Sequence, residues 1–435
     1  MPPFDPRQLI FETTVMNHVY TFVFAFLIAL LAYKVQRGKI LLYTLATCIV
    51  LTTPLVGICT EAVWGAYPTI DKEGSLLFYR DGVHHRLFSF SDSAHRLIGF
   101  HLGHLWISQV LDWFVGDIGA FNLQALLNVT LTWYCTYRLL YLIGGSQLWS
   151  WILASQLGLH LHLFRDIQFY TIEKSAIYPL LIFWESFVQA SRGERKAPIW
   201  MGLSFFLASW INLYWGIFCV LLTVPLLWIY RNKNRKVIVQ GIFCCIIFGV
   251  GVGAYQQLLT VSGPPFAHGD RFMERAAMDN VSIWPPSWNR IPWYASVSPL
   301  LLALVGWAWR TKRLHKEFVG VGTLFFILSL GPYILETVPN PLYQGLTTLP
   351  ALWRFAKPEA FFFLTFIAIL TTSTKLNPSK KGCIIIGIIF LLQWGGLRTQ
   401  KEYPSYFTKP IQTTLPNNWE RRVFIEPSKD KDSAP

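Results

Sequence analysis

The chain has 435 residues, of which 53% are hydrophobic, 16% are aromatic and only 14% are charged. Because a soluble domain usually carries about a quarter of charged residues, this composition argues against an ordinary soluble protein and predicts that lipid surrounds most of the chain. The net charge of +13 does not indicate a nucleic-acid partner, because the cations lie in short clusters between apolar runs and no basic patch carries base-stacking aromatic residues.

Apolar runs long enough to cross roughly 30 Å of hydrocarbon recur from end to end. They predict an all-α polytopic membrane protein with about twelve transmembrane helices, near residues 17–36, 39–58, 119–140, 148–163, 172–190, 198–210, 214–230, 237–258, 295–309, 317–336, 358–375 and 383–398. The first run follows the stretch "MPPFDPRQLIFETT" and is of spanning length, so we expect no cleavable signal peptide.

Short basic segments separate several of these runs, at 34–39, 191–196, 230–236, 310–316 and 376–381. They all fall on one face of the membrane, the cytoplasmic one, if residues 93–115 do not cross it. That stretch carries His95, Arg96, His101, His104 and Asp112. We therefore interpret it as an amphipathic helix at the interface or as a shallow re-entrant element.

This orientation places the longer loops outside. Residues 1–398 are predicted to form one transmembrane domain with outward loops at 59–118 and 259–294, and 164–171 and 337–357 also face outward. Residues 399–435 are predicted to be a short outward tail, partly disordered because it ends in the polar sequence "SKDKDSAP".

The cysteines and histidines do not form a recognisable metal site. Nearly all seven cysteines lie in apolar runs without a CxxC pair, which favours small buried side chains. His160 and His162 are two positions apart, which is a poor metal-binding spacing, and His101 and His104 lack further ligands. We find no Walker loop, HExxH or GxSxG motif.

Carboxylates are frequent in the first outward loop. Glu61 follows a predicted span directly, and Asp71 and Asp81 come later in the same loop. A carboxylate at the membrane surface can act as general base on an acceptor hydroxyl, or can bind a divalent metal ion such as Mg²⁺ or Mn²⁺. The alternative is a solvated loop whose charges have no specific role, and no cofactor is certain from the sequence.

Two groups of charged residues lie in the later outward segments. Arg354, Lys357 and Glu359 are at the start of an apolar run, where two cations are suited to a phosphate attached to a lipid. The alternative is interfacial anchoring beside Trp353. In the second outward loop, His162, Arg165 and Glu173 are candidates to line a binding cavity, with an internal ion-pair network as the alternative.

Several stretches occur in an order that is similar to a known family. They are "SDSAHRLIGF" (91–100), "FNLQALLNVTLTWYCTYRLL" (121–140), "YTIEKSAIYPLLIF" (170–183), "RAAMDNVSIWPPSWN" (275–289), "WYASVSPLLLALVGW" (293–307) and the segment from "LSLGPYI" to "LPALWRFAKPEAFFFL" (328–364). Together the chain resembles the bacterial polytopic membrane glycosyltransferases of the GT-C type over nearly its whole length, although no single motif is highly specific.

The resemblance implies transfer of a sugar from a polyprenyl-phosphate carrier to an envelope glycan, lipid or protein at the outer face of the plasma (bacterial inner) membrane. By motif position, Glu61 matches the family's acidic residue, with Asp71 and Asp81 as rivals, and Arg354 would contact the carrier phosphate. Glu359 departs from the family, where a second arginine is frequent. The tail keeps only "TLPNNWERRVFIEP" (414–427) of a longer soluble domain, so other envelope-assembly membrane proteins are expected partners.

The leading hypothesis is therefore an inverting glycosyltransferase that binds membrane lipid and a polyprenyl-phosphate-linked sugar. The alternatives are a flippase of lipid-linked saccharide and a non-catalytic membrane component of envelope assembly. A flippase needs a polar path through its spans, whereas the middles of the predicted spans are largely apolar.

Overall fold

The computed structural model describes residues 15–35, 38–52, 63–64, 102–160, 163, 175–259, 299–331, 333–334, 338–347, 358–398 and 407–408. These residues are mostly helical, which confirms the all-α fold class. The helices are α1 (Val15–Lys34), α2 (Lys39–Thr52), α3 (Leu102–Ile143), α4 (Gln147–Gly158), α5 (Tyr178–Ser191), α6 (Ala197–Ile211), α7 (Leu213–Ile229), α8 (Arg235–Leu259), α9 (Pro299–Arg310), α10 (Lys316–Ser329), α11 (Pro341–Thr347), α12 (Pro358–Thr372) and α13 (Lys380–Arg398).

Two short antiparallel strand pairs accompany the helices. β1 (Val63–Trp64) pairs with β4 (Phe407–Thr408), so that Val63 is opposite Thr408. β2 (Tyr333–Ile334) pairs with β3 (Val338–Pro339) directly after α10. The first pair brings the tail beside the segment that follows α2, and the second forms a tight return before α11.

Each apolar run that the sequence marks as a span overlaps one of the helices, although several helices are shorter than their runs. Proline lies at the start of several helices: α9, α11 and α12 begin at Pro299, Pro341 and Pro358, and Pro179 is in the first turn of α5. There the missing N–H costs no helical hydrogen bond. Within the described residues, no helix is both long and apolar enough to cross a membrane.

The outer surface of the helical bundle is strongly apolar. α1 exposes Phe26 at 63%, α8 exposes Val250 at 68% and α13 exposes Leu392 at 69%. Similar exposed side chains recur on these three helices, among them Phe22, Phe24, Leu27, Phe243, Ile246, Ile247, Ile384, Ile385 and Ile388. A soluble monomer seldom exposes contiguous apolar patches of more than a few hundred Å². The apolar side chains on these three helices would be more favourable in an apolar environment than in water.

The basic segments meet at one end of the bundle, which we call the basic end. Asn234 in the α7–α8 loop donates its side-chain amide to the Ser191 carbonyl at 3.0 Å, and the Arg192 guanidinium donates to the Leu142 carbonyl. The Ser146 amide donates to Asn377 Oδ1 at 2.6 Å. These bonds join the α3–α4, α5–α6, α7–α8 and α12–α13 connections. The start of α2 lies near the start of α4, because Trp151 Nε1 donates to Thr44 Oγ1 at 2.9 Å.

The long helix α3 is folded back on itself. Gln124 Nε2 donates to the His104 carbonyl at 3.2 Å, and the Ser108 hydroxyl donates to Gln124 Oε1. In a straight helix residues 108 and 124 would be about 24 Å apart along the axis, so the chain reverses between them, in a stretch that contains Gly116 and Gly119. That 93–115 does not cross a membrane stays a prediction, but the described part of it is the first limb of this hairpin.

A charged pair lies inside the bundle, between α3 and α5. Arg138 Nη2 is 2.5 Å from Glu185 Oε1, and the Glu185 side chain is 6% exposed whereas that of Arg138 is 46% exposed. Gln189 Nε2 also donates to Glu185 Oε1 at 3.1 Å. The second carboxylate oxygen, Oε2, is buried and has no hydrogen-bond partner. Glu185 therefore depends on Arg138 for most of the compensation of its charge.

We expect Arg138→Met to lower the free energy of unfolding by about 2 kcal/mol, because it leaves a buried carboxylate without its cation. The exposed part of Arg138 keeps this cost below that of a fully buried pair. The double variant Arg138→Met/Glu185→Met is expected to recover at least half of the loss. Denaturant unfolding of the purified protein measures both, with Arg195→Met at the exposed α5–α6 loop as the matched control. A double variant no more stable than the single one would contradict this account.

The close approach of α4 to α3 depends on Gly158. A Cβ atom at this position would lie 2.5 Å from Trp133 Cβ, and the Trp133 indole is itself held by a hydrogen bond of 2.9 Å to the Trp151 carbonyl. We expect Gly158→Ala to destabilise the protein by about 1–3 kcal/mol through overpacking.

The control is Gly320→Ala in α10, where a Cβ atom would meet nothing within 4 Å. Since alanine favours a helix over glycine by about 1 kcal/mol, this change is expected to stabilise the protein slightly. Thermal unfolding midpoints of the two variants should therefore shift in opposite directions. Equal shifts would show that the contact with Trp133 does not limit the packing.

Candidate functional site

Most of the predicted site residues lie outside the described residues. This holds for Glu61, Asp71, Asp81, His162, Arg165, Glu173, Arg354 and Lys357. Glu359 lies in the first turn of α12, and its side chain is outside the described set. The assignment of roles to these residues therefore stays a prediction. The structure does describe the helix ends from which their segments leave.

Two of those segments begin and end side by side. His160, just before His162, is 4% exposed. Its ring centroid lies 5.4 Å from that of Phe362 and 4.8 Å from that of Phe366, both in α12. The residue two positions before His162 therefore packs on the helix that follows Arg354 and Lys357. Trp215 at the start of α7 completes this aromatic contact, 6.2 Å from Phe363.

The other end of the same segment is fixed on α3. Asn128 Nδ2 donates to Ser175 Oγ at 2.9 Å, and both residues are buried. This bond lies in the second limb of α3, one turn after Gln124, which holds the hairpin together. The residues that flank 161–174 are thus held on α12 at one end, through His160, and on the hairpin at the other, through Ser175. We call the region of the helix ends at 102–108, 158–163, 175–178, 211–215 and 358–366 the distal end, because it is opposite to the basic end.

The first limb of α3 is packed tightly at the distal end. A Cβ atom on Gly103 would lie 2.9 Å from the backbone of Trp210 and Ile211 at the end of α6, so only glycine fits. The Trp106 and Trp210 rings are 6.1 Å apart. The start of α3, which follows the segment that carries Asp71 and Asp81, is therefore held against the end of α6. Glu61 is two residues before β1, which packs against α3.

The turn before Arg354 is fastened to α10 and α12. Asn340 Nδ2 donates at 2.7 Å to the Ile327 carbonyl, in the last turn of α10, and at 2.8 Å to the Gly331 carbonyl just after that helix. Tyr343 in α11 is 2% exposed, with its ring 6.5 Å from that of Phe361 in α12. The chain that leads into residues 348–357 is therefore held beside the start of α12.

The described part of the distal end provides mainly aromatic and amide groups, together with the buried imidazoles of His104 and His160. Among the described residues, no group of three or more His, Cys, Asp or Glu could hold a metal ion. None of the described cysteines forms a disulfide, and Cys48, Cys135, Cys219 and Cys383 are buried. The carboxylates and cations that the sequence predicts for a reaction lie on segments outside the described residues.

One charged contact was not predicted from the sequence, namely Arg138 with Glu185. The sequence contains a signal for it, because each residue interrupts an apolar run with a charge of opposite sign. Since buried charges are paired, two such interruptions in neighbouring helices would have indicated a contact. The pair lies near the basic end, away from the converging segments, and serves the packing of α3 on α5.

No protein-family model matches the sequence, and a search of curated proteins gives no match either. The interpretation of the distal end therefore depends on its residues and on the resemblance of its motifs.

We expect Asn128→Ala to loosen the attachment of residues 161–174. Loss of a buried hydrogen bond costs about 1 kcal/mol, and here the lost bond ties Ser175 to α3. Hydrogen exchange followed by mass spectrometry should show faster exchange in peptides around Ser175, while peptides of α8 keep the wild-type rate. The control is Thr136→Val, because the Thr136 hydroxyl bonds only the Thr132 carbonyl of its own helix at 2.7 Å. Unchanged exchange at Ser175 would contradict the assignment.

Proposed function

We propose that this protein is an integral membrane glycosyltransferase that moves a sugar from a polyprenyl-phosphate carrier to an envelope glycan, lipid or protein acceptor. The observation that carries the proposal is the meeting, at the distal end, of described residues that flank the charged segments. His160, before 161–174, packs on Phe362 and Phe366 of the helix that follows Arg354 and Lys357, and Ser175, after it, is bonded to Asn128 of α3.

The membrane location of the proposal is supported by the outer surface of the bundle. The exposed apolar side chains on α1, α8 and α13 would be unfavourable in water, because full burial of one such side chain is worth about 1.5–3 kcal/mol. The basic segments gather at one end, as the charge bias of cytoplasmic loops predicts. The proposal thus depends on the surface as a whole rather than on the length of any one helix.

The chemistry follows from the demands of the reaction. When a sugar leaves its carrier, negative charge develops on the departing phosphate, and cations placed beside it stabilise the transition state. Arg354 and Lys357 are proposed for this role, because they directly precede α12 and its aromatic side chains. A carboxylate of the first outward loop, with Glu61 ahead of Asp71 and Asp81, is proposed to take the proton of the acceptor hydroxyl or to bind a divalent metal ion.

The described residues favour surface chemistry over transport through the body of the protein. In the described parts of the helices, the charged contact inside the bundle is the pair of Arg138 and Glu185, which neutralise one another. A transport path needs further polar groups facing a cavity. The flippase and the non-catalytic membrane component are therefore the alternative outcomes of the carrier-binding and transfer measurements.

The test combines carrier binding with transfer. Purified protein is mixed with a polyprenyl phosphate or with a neutral polyprenol, and the bound lipid is measured by native mass spectrometry. We expect phosphate-dependent binding that weakens by about tenfold in Arg354→Ala, as loss of a charge-assisted hydrogen bond of about 1.5–3 kcal/mol predicts. Arg313→Ala, at the basic end, is the matched control and should bind like the wild type.

Transfer is then measured with labelled polyprenyl-phosphate sugars in membranes from cells that express Glu61→Gln, Asp71→Asn or Asp81→Asn. At least one of these substitutions should abolish transfer while carrier binding is retained. Carrier binding without transfer in the wild type would favour the non-catalytic component. Transbilayer movement of a labelled carrier without transfer would favour the flippase. Equal binding by wild type and Arg354→Ala would overturn the proposed phosphate site.

A further inference from the structure

A groove with a volume of about 290 Å³ opens on the side of the bundle between α9, α10 and α12. Its walls include Val305 of α9, Val319 of α10 and Ile369 of α12. The groove extends along the second half of α12, from Thr365 to Thr372, and so lies toward the basic end. Its volume is at the lower end of the range for ligand pockets.

The polar atoms in the walls of the groove are already used by the protein. Thr323 Oγ1 donates to the Val319 carbonyl at 2.9 Å, Thr365 Oγ1 to the Phe361 carbonyl at 2.9 Å and Thr372 Oγ1 to the Ile369 carbonyl at 2.6 Å. Each hydroxyl proton is therefore bound within its own helix. An occupant finds methyl, methylene and aromatic groups, which suit a hydrocarbon chain.

One end of the groove reaches a concentration of positive charge. Phe318 lines this end, and the His315 ring packs edge-on against it with a centroid separation of 5.7 Å. Lys375 follows α12 by three residues and is exposed, like the cations of the α9–α10 connection: Arg310, Lys312, Arg313 and Lys316. The described acid here is Glu317, whose carboxylate is 3.1 Å from His315 Nδ1.

His315 does not add to this charge at neutral pH. The residue is 8% exposed, and its Nε2 atom is buried without a hydrogen-bond partner. Burial lowers the pKa of the His315 imidazole, although the bond to Glu317 opposes that shift. The excess of lysine and arginine over Glu317 therefore determines the sign of the field, which attracts an anion.

We infer that the groove holds an acyl chain of an anionic phospholipid, whose headgroup lies against the cations of the α9–α10 connection and Lys375. The apolar walls, whose threonine hydroxyls are already hydrogen-bonded, favour an acyl chain. The positive charge at one end of the groove favours an anionic headgroup. This goes beyond the proposed function, because the carrier phosphate is assigned to Arg354 and Lys357. Those two residues precede the start of α12, whereas Lys375 follows its end.

The experiment uses the full chain, freed of lipid in detergent and then given phosphatidylglycerol or phosphatidylcholine of equal chain length. Native mass spectrometry measures the lipid that each protein retains. We expect the wild type to prefer phosphatidylglycerol. Thr323→Trp fills the groove and should abolish that retention, whereas Gly320→Trp should not, because a Cβ atom there meets nothing within 4 Å. Lys375→Ala should weaken phosphatidylglycerol binding about fivefold, as one lysine near an anionic surface predicts, while Lys233→Ala in the α7–α8 loop should not.

A photoactivatable phosphatidylglycerol, reactive in its acyl chain, provides a test that needs no variant. Labelled peptides of the wild type should come from α10 and α12, in the regions of Val319 and Ile369. Equal retention of the two lipids, equal retention by Thr323→Trp and Gly320→Trp, or labelling confined to other helices would each overturn the inference. Arg354→Ala should bind polyprenyl phosphate about tenfold more weakly and retain phosphatidylglycerol like the wild type, so the two sites fail separately.

Discussion

Backbone groups at the basic end are satisfied by side chains from neighbouring loops, and the arrangement of the helices depends on this. Asn377 has a positive φ of 38° and bonds two backbone groups of the α3–α4 turn, accepting from Ser146 and donating to the Gly144 carbonyl at 3.3 Å. Trp149 Nε1 donates to the Ser373 carbonyl at 3.1 Å. Since the last carbonyls of a helix have no partner within it, such bonds decide which helix ends can meet in an apolar setting.

The distal end is built differently, from side-chain packing of aromatic rings and a few amide bonds. The His160 ring contacts that of Phe362, and the Trp215 ring contacts that of Phe363. The hydrogen bond between Asn128 and Ser175 adds a polar contact. Edge-to-face contacts of this kind contribute about 0.5–1.5 kcal/mol each beyond area burial. The basic end therefore fixes the connections of the helices, while the distal end provides a packed base for the longer segments that leave it. This division suits a protein whose chemistry is carried by loops on a rigid scaffold.

The helices were largely predictable from the sequence, because each apolar run is several helical turns long and proline or glycine marks several of the helix ends. α11 was missed, since seven residues around Gly345 give too short a periodic signal. The reversal within α3 was anticipated only as an element that does not cross, because its polar residues indicated an interface but not a contact between Ser108 and Gln124. The pair of Arg138 and Glu185 was missed because a sequence does not show which helices are neighbours. For the candidate site, the sequence identifies the charged residues, and the structure shows which helix ends meet around His160.

The hairpin of α3 has a mechanical consequence. Gln124 in the second limb bonds both Ser108 and the His104 carbonyl of the first limb, and Asn128, one turn later, bonds Ser175. A displacement of the first limb is therefore transmitted through a single helical turn to the chain just before α5. The two limbs and Ser175 should move as one unit, so a perturbation at residues 104–108 is felt at Ser175 without any direct contact between them.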